Sequence, residues 1–261
     1  MKNCLLRRDF VPMDMRCATS DCSRSHRSGK AWVILADGQE QAFCPYCAST
    51  VLGGDIFREQ RTIAPDLTIH ELSAEDDTPW LRGGPYSNVR TEAGRDRRLS
   101  NALGYLQLRA HVLPSIPGIH ASVRAWPALM DLFHTYQTQQ RLTDQQVLAI
   151  VSMEEASVKK AWVLGRNNLM DVYAGYHLLQ RQRRKLAKSI FNMQAKPWLN
   201  KEVGDQRIQQ LRERSRLVEN VIGHLLQKLY LTPKQMAALD LQMRADAFTR
   251  PGMLLSVPPN E

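Results

Sequence analysis

The chain has 261 residues, of which 43% are hydrophobic and 23% are charged, a composition that excludes wholesale disorder, a collagen-like repeat and a small disulfide scaffold. No apolar run approaches the roughly 20 residues that a membrane-spanning helix needs, so we expect no spanning segment. The net charge of +9 favours a polyanionic partner, either nucleic acid or an anionic membrane surface.

The positive charge lies mainly in the later two thirds of the chain. Residues 1–90 carry 11 basic and 12 acidic side chains, whereas residues 91–261 carry 24 and 14. At the start of the chain, Arg7, Arg8 and Asp9 lie where a signal peptide needs its apolar segment. We therefore expect a cytoplasmic protein with a cationic C-terminal part that binds nucleic acid and no membrane.

The first predicted element is a β-hairpin. The apolar run over residues 31–36 indicates a strand, Asp37-Gly38 is typical of a two-residue hairpin turn, and residues 39–43 indicate the return strand. The return strand leads directly into a Cys-Pro-Tyr-Cys segment. This hairpin therefore lies between the two groups of cysteines described next.

Four of the five cysteines form two close pairs around the hairpin, namely Cys17 with Cys22 and Cys44 with Cys47. Because tight turns at these spacings each present two sulfurs, the pattern predicts one Zn²⁺ held by four thiolates. Four sulfurs fill a tetrahedral site, so His26 is not needed as a ligand and the site is structural. Residues 15–50 thus resemble a zinc ribbon. Four reduced cysteines without metal are the alternative, as are two disulfides, which a reducing cytoplasm disfavours.

A short basic loop lies between the two cysteine pairs. Its cations alternate with small residues, a composition that allows close approach to phosphates, and the candidate nucleic-acid contacts are Arg24, Arg27 and Lys30. A solvated loop on a zinc module is the alternative interpretation. The loop by itself does not separate these two interpretations.

Composition divides the chain into three predicted segments. A zinc-ribbon-like module covers residues 1–54, an acidic linker or irregular region covers residues 55–94, and a basic helical domain covers residues 95–261. The middle segment has 7 acidic and 2 basic side chains between residues 55 and 80, followed by a Gly-Gly-Pro break. The predicted fold class is mainly α, with one small β-hairpin module preceding a basic helical bundle.

From about residue 95 onward, the apolar spacing is helical and predicts five to seven helices with little strand. Capping boxes at Thr143 and Thr232 mark two helix starts, and Pro233 occupies the first helical position of the second. These signals place the ends of the helices more firmly than the apolar pattern alone.

A predicted helix over residues 176–194 carries an apolar stripe on one face and a basic row beside and opposite it. The row contains no acid, and its members are Arg181, Arg183, Arg184, Lys185 and Lys188. Such a row is suited to follow a phosphate backbone, with an ordinary solvated helix face as the alternative. The next helix, over residues 205–230, adds Arg212 and Arg216 beside an apolar stripe that is either core or a protein-binding seam.

The sequence contains none of the common catalytic motifs. The seven histidines are scattered without metal-ligand spacing, and no GxSxG, kinase or dinucleotide signature occurs. We therefore expect a protein that is not an enzyme and takes no small-molecule substrate.

A basic protein with an N-terminal four-cysteine module and a helical remainder resembles the large-subunit family of type IV CRISPR-Cas effector complexes. The resemblance covers the arrangement of the chain and matches, residue by residue, Cys17, Cys22, Cys44 and Cys47. It implies a non-enzymatic subunit of an antiviral ribonucleoprotein complex that binds the 5′ end of the guide RNA beside other subunits. It also implies a role in recognising the motif that flanks the target in duplex DNA and in opening the strands.

Two other classes of function fit the same sequence. One is a zinc-ribbon DNA-binding regulator or replication accessory protein that acts without RNA. The other is a protein-interaction scaffold in which the zinc module docks a partner and the charge aids solubility. A defined small RNA that co-purifies with the protein supports a guide complex, and its absence together with direct duplex binding supports the regulator. Binding that is insensitive to salt favours the scaffold.

Overall fold

The computed structural model describes residues 3–12, 15–24, 26, 29–68, 92–195 and 201–239. These residues are mainly helical, with one small antiparallel sheet at the N-terminal end, which confirms the predicted fold class. Contacts divide the chain into two compact units, the first formed by Met1–Ser115 with Val123–Arg166 and the second by Ile116–Ser122 with Asn167–Glu261. Among the helices in the described ranges, none combines the length and the apolar character needed to cross a bilayer.

The predicted hairpin is confirmed. Strand β2 (Lys30–Ala36) pairs antiparallel with strand β3 (Gln39–Phe43). Between them, Asp37 and Gly38 adopt positive φ values of 51° and 77°. Positive φ at both central residues is the requirement of the tight turn whose twist matches the two strands, and Gly and Asp tolerate it.

A third strand that the sequence interpretation missed completes the sheet. Strand β1 (Cys4–Phe10) pairs antiparallel with β2, so the strand order is β1-β2-β3. The register shifts between Leu5 and Arg7. This irregularity and the charged residues in β1 interrupt the period-two alternation by which a strand is recognised in a sequence.

Two short helices, α1 (Pro45–Leu52) and α2 (Gly54–Ile63), pack with the sheet around a core that contains Trp32 and Phe57. The two rings meet edge to face with centroids 5.5 Å apart. Helix α2 occupies the first residues of the segment predicted as an acidic linker. Its polar side chains are mostly exposed and Phe57 alone is fully buried, so the local composition concealed the helix.

A buried ion network ties β1 to helix α3 (Glu92–Gln107). Arg7 Nε donates to Asp9 Oδ2 at 2.6 Å, and its terminal nitrogens donate to Glu40 at 2.7 Å and to Gln107 at 3.4 Å. Burial alone would lower the pKa of Arg7, but the two carboxylates outweigh burial and raise it. The sheet and α3 therefore lie in one unit.

Helices α4 (Pro127–Gln139) and α5 (Asp144–Lys160) complete the first unit. The capping box at Thr143 is confirmed, because the N–H of Gln146 donates to its hydroxyl and the Gln146 side chain accepts from its N–H. Along the chain, the first unit ends at Arg166, and Ile116–Ser122 belongs to the second unit. Helix α3 is tied to the sheet within this unit, because the Gln107 side chain donates to the Leu6 carbonyl of β1 at 3.0 Å.

The second unit is built on two long helices, α6 (Arg166–Gln194) and α7 (Lys201–Lys228), followed by α8 (Pro233–Ala238). Asn168 near the start of α6 donates to the Leu229 carbonyl just after α7, so the helices run antiparallel. Helix α8 begins with the predicted capping box. Helices α3 to α8 bring the described part of the chain after residue 91 to six α-helices, within the predicted range.

Candidate metal centre and basic helix face

The four paired cysteines converge on one point in the first unit. Their sulfur atoms all lie within 4.8 Å of one another, and Cys22 is half-buried while the other three, Cys17, Cys44 and Cys47, are buried. Tetrahedral coordination at about 2.3 Å separates sulfur ligands by about 3.8 Å. The cluster therefore has the ligand set and the spacing to hold one metal ion.

Two different local structures present the sulfurs. Cys17 and Cys22 flank a tight turn in which the Cys22 N–H donates to the Thr19 carbonyl at 3.0 Å. The second pair was predicted to lie in a similar turn, but Cys44 is instead the N-cap of α1 and Cys47 lies in its first turn. The intervening proline explains the difference, because its restricted φ favours the first position of a helix.

Backbone donors and neighbouring thiols shift the pKa values of two cysteines in the cluster, Cys17 and Cys47. Burial raises the pKa of Cys17, but the backbone N–H groups of Cys44 and Thr19 outweigh burial and lower it to about 7. For Cys47, a hydrogen bond with Thr19 lowers the pKa, while burial and bonds with the other three thiols raise it to about 12. Metal binding requires both of these thiols to be deprotonated, and a bound cation would supply the compensating charge.

The remaining candidate ligands lie outside this cluster. Cys4 is buried in β1, and burial raises its pKa to about 11. His26 is also buried, and burial lowers its pKa. Within the described ranges, the metal-ligand cluster contains only the four paired cysteines. All five cysteines are free, so the structure does not adopt the two-disulfide alternative.

The cations of the basic loop occupy different environments. Arg24 is exposed beside the cysteine cluster, and its guanidinium lies 5.5 Å from the ring centroid of Tyr46. Lys30 is half-buried as the first residue of β2. Arg27 lies outside the described residues. The sequence interpretation missed Tyr46, whose only local signal is an aromatic residue between the two cysteines of a pair.

The predicted basic helix is confirmed as part of α6, and it presents most of its cations to solvent. Four of the five predicted side chains are exposed, namely Arg183, Arg184, Lys185 and Lys188. Arg181 is half-buried, and burial, followed by repulsion from Arg184, lowers its pKa. The predicted apolar stripe is fully buried at Leu179 and half-buried further along the helix.

An acid from the neighbouring helix reaches the basic row. Arg183 Nε lies 3.5 Å from Glu219 Oε1 of α7, and both side chains are about half exposed. The sequence of α6 shows no acid within the row, because this partner is distant along the chain. An ion pair as exposed as this one contributes about 1 kcal/mol or less to stability.

The apolar stripe of helix α7, predicted to be either core or a protein-binding seam, is core in one half of the helix. Val218, Ile222 and Leu225 are buried, so the C-terminal half of the stripe is core. Towards the N-terminal end, Ile208 and Leu211 are half-buried. The two flanking cations, Arg212 and Arg216, are exposed.

The structure thus brings the predicted site residues into two groups, one in each unit. The four cysteines and Arg24 lie together in the first unit, and the exposed cations of α6 and α7 lie in the second. No known protein family, no curated protein and no solved structure matches this chain.

Proposed function

We propose that this protein is a non-catalytic nucleic-acid-binding subunit of an RNA-guided type IV CRISPR-Cas effector complex. The observation that carries nucleic-acid binding is the row of exposed cations on α6 between residues 183 and 188. Each cation that replaces a counterion on a phosphate adds affinity without regard to sequence. Such contacts suit a subunit that holds an RNA whose base pairing selects the target.

The dimensions of the row fit a short stretch of nucleic-acid backbone. At 1.5 Å per residue, positions 181–188 span about 10 Å along the helix axis. Nucleotides of one strand rise about 3.4 Å along the duplex axis, and the backbone path between phosphates is longer, so the row covers no more than about three phosphates. Arg212 and Arg216 are exposed on α7 in the same unit and extend the cationic surface.

We propose zinc as the metal in the cysteine cluster. Four thiolate ligands at tetrahedral spacing select a soft, structural ion, and the closed ligand set leaves no position for substrate. The metal therefore stabilises the first unit and takes no part in a reaction. The four-cysteine module, followed by helices, is also the arrangement on which the resemblance to type IV large subunits depends.

The proposed function is tested by native purification of the tagged full chain from its own cells, followed by sequencing of the bound RNA. We expect one defined class of small RNA, protected at its 5′ end, together with other protein subunits. Binding of this RNA falls steeply between about 50 and 200 mM salt, because phosphate contacts release counterions.

Other outcomes identify the alternative functions. Tight binding to duplex DNA without any RNA supports the zinc-ribbon regulator, for which exposed Arg24 beside the cluster is a suitable contact. Salt-insensitive binding to a protein partner supports the scaffold. A chain that binds neither RNA nor DNA at low salt, alone and with its co-purified subunits, overturns the proposed function.

A further inference from the structure

One aromatic side chain of the first unit is exposed although it lies between two buried cysteines in the chain. Tyr46 is 69% exposed, whereas Cys44 and Cys47 on either side are buried. It lies in the first turn of α1, where its carbonyl accepts a 3.1 Å hydrogen bond from the Thr50 hydroxyl. The backbone under the ring is therefore held firmly while the ring itself faces solvent.

A cation lies over this ring, and it comes from the other half of the cysteine cluster. The Arg24 guanidinium is 5.5 Å from the centroid of the Tyr46 ring. The Arg24 carbonyl accepts a 3.2 Å hydrogen bond from the N–H of Cys17. Both side chains thus project from segments that the same four sulfurs bring together.

We propose that Tyr46 and Arg24 form a binding site for one nucleotide of a single strand, with the open side of the ring stacking on the base and Arg24 contacting the phosphate. The inference rests on the proposed function, because it names the nucleic-acid component that the first unit holds. The shared ligand chemistry is an unpaired nucleotide of RNA or DNA.

Stacking explains why the ligand is single-stranded. Every base has a π face, and aromatic side chains stack on bases that are not covered by neighbours in a duplex. At 69% exposure, most of the Tyr46 surface stays open although Arg24 covers one side. A tyrosine also loses little conformational freedom on binding, because it has only two side-chain torsions.

Charge explains why the cation is needed at this position. A divalent ion bound by four thiolates leaves a net negative centre, which repels phosphates. Arg24 is exposed, and its carbonyl accepts a hydrogen bond from the N–H of Cys17, one of the four cysteines. A guanidinium donates two hydrogen bonds to one phosphate, so it offsets the repulsion at the point where the nucleotide binds.

The test measures fluorescence anisotropy of labelled oligonucleotides with the full chain and its variants. The probes are a uridine-rich RNA and a thymidine-rich DNA of about 20 nucleotides, and a blunt duplex of the same length. We expect Tyr46→Ala to weaken binding of the single strands by about 5- to 150-fold. The Tyr46→Phe variant retains binding, and duplex affinity does not change.

Two further variants separate stacking from charge and from general surface effects. Ile56 is 50% exposed on α2 in the same unit, and the matched control Ile56→Ala keeps wild-type affinity. In Arg24→Gln, single-strand affinity falls and the slope of log affinity against log salt decreases by about 0.7, the value for one phosphate contact. Comparison of the two single strands shows whether the site prefers RNA or DNA.

Each result supports or overturns the inference. If Tyr46→Ala binds single strands with wild-type affinity, the inference is overturned and the proposed function stands. The same conclusion follows if Tyr46→Ala loses affinity for single strands and for the duplex by the same factor. Failure of the wild type to bind any of the probes at low salt, both alone and with its co-purified subunits, overturns both the inference and the proposed function. If Tyr46→Ala loses its metal or unfolds at a lower temperature than the wild type, photo-cross-linking of the wild type to 5-iodouridine RNA tests whether the RNA contacts Tyr46. A cross-link at Tyr46 supports the site, and cross-links confined to other residues overturn it.

Discussion

The cysteine cluster and the basic row of α6 were both predicted from spacing along the chain, but the fold holds them in opposite ways. The sulfurs of the cluster come from two segments, lie mostly buried and contact backbone donors. The cations of the row share one helix and are mostly exposed. Changes to the cluster should therefore alter stability first, whereas changes to the row should alter binding alone.

The largest expected effect comes from removing one sulfur ligand. We expect the wild type to carry about one zinc per chain and Cys47→Ser to lose it, with a marked fall in the thermal midpoint of the first unit. Structural zinc contributes on the order of 10 kcal/mol to the folding of small zinc domains. Metal analysis by mass spectrometry and thermal unfolding measure the two effects.

The matched control for this variant is Cys4→Ala. Cys4 is a buried thiol in the same unit, but it lies outside the four-sulfur cluster. This variant should keep its zinc while losing a modest amount of stability. Full metal content and unchanged unfolding of Cys47→Ser would contradict the assignment of the cluster as a structural metal site.

The second prediction neutralises the exposed row with Arg184→Gln, Lys185→Gln and Lys188→Gln together. Nucleic-acid binding should weaken, and the salt slope should fall by about 0.9 for each lost contact to a duplex phosphate and about 0.7 for a single strand. The free energy of unfolding should stay within about 1 kcal/mol of the wild-type value, because these side chains are exposed. Affinity at several salt concentrations measures the effect.

A charge-matched control tests whether position or net charge matters. Lys159, Lys160 and Lys234 are exposed on other helices, and their triple replacement by Gln removes the same charge. An equal loss of affinity in this control would refute a specific role for the row. Glu219→Gln should act in the opposite direction and raise affinity slightly, because it removes the acid beside Arg183.

The smallest expected effect concerns the ion network that joins the sheet to α3. Burial raises the pKa of Glu40, but hydrogen bonds from His111 and Arg7 outweigh it and lower the pKa from 4.5 to about 2. A carboxyl with a depressed pKa stabilises the folded state when the pH is above the ordinary pKa of the group. This stability is lost as the pH falls from about 4.5 towards 2.

The variant Glu40→Gln tests this network. It should cost about 1–3 kcal/mol at neutral pH, because Arg7 loses a charged acceptor in a buried setting. The difference in urea midpoint between wild type and variant should shrink as the solution is acidified below pH 4.5. A difference that stays constant with pH would contradict the role of the Glu40 carboxylate.

The features that the sequence alone predicted correctly depend on interactions between residues close together in the chain. The hairpin turn at Asp37-Gly38, the capping boxes at Thr143 and Thr232 and the pairing of the cysteines each involve residues a few positions apart. Backbone torsions, N-cap hydrogen bonds and ligand spacing act over that range. They therefore leave a readable pattern in any chain that contains them.

The tertiary structure alone decided how distant segments meet. Strand β1 pairs with β2, Arg7 reaches Gln107 across 100 positions, Glu219 approaches Arg183, and Arg24 comes to lie over Tyr46. Such contacts depend on which faces of the sheet and helices pack together, and packing is a property of the whole unit rather than of neighbouring residues. For this reason the clustering of the four cysteines was predictable, whereas the aromatic and cationic pair beside them was not.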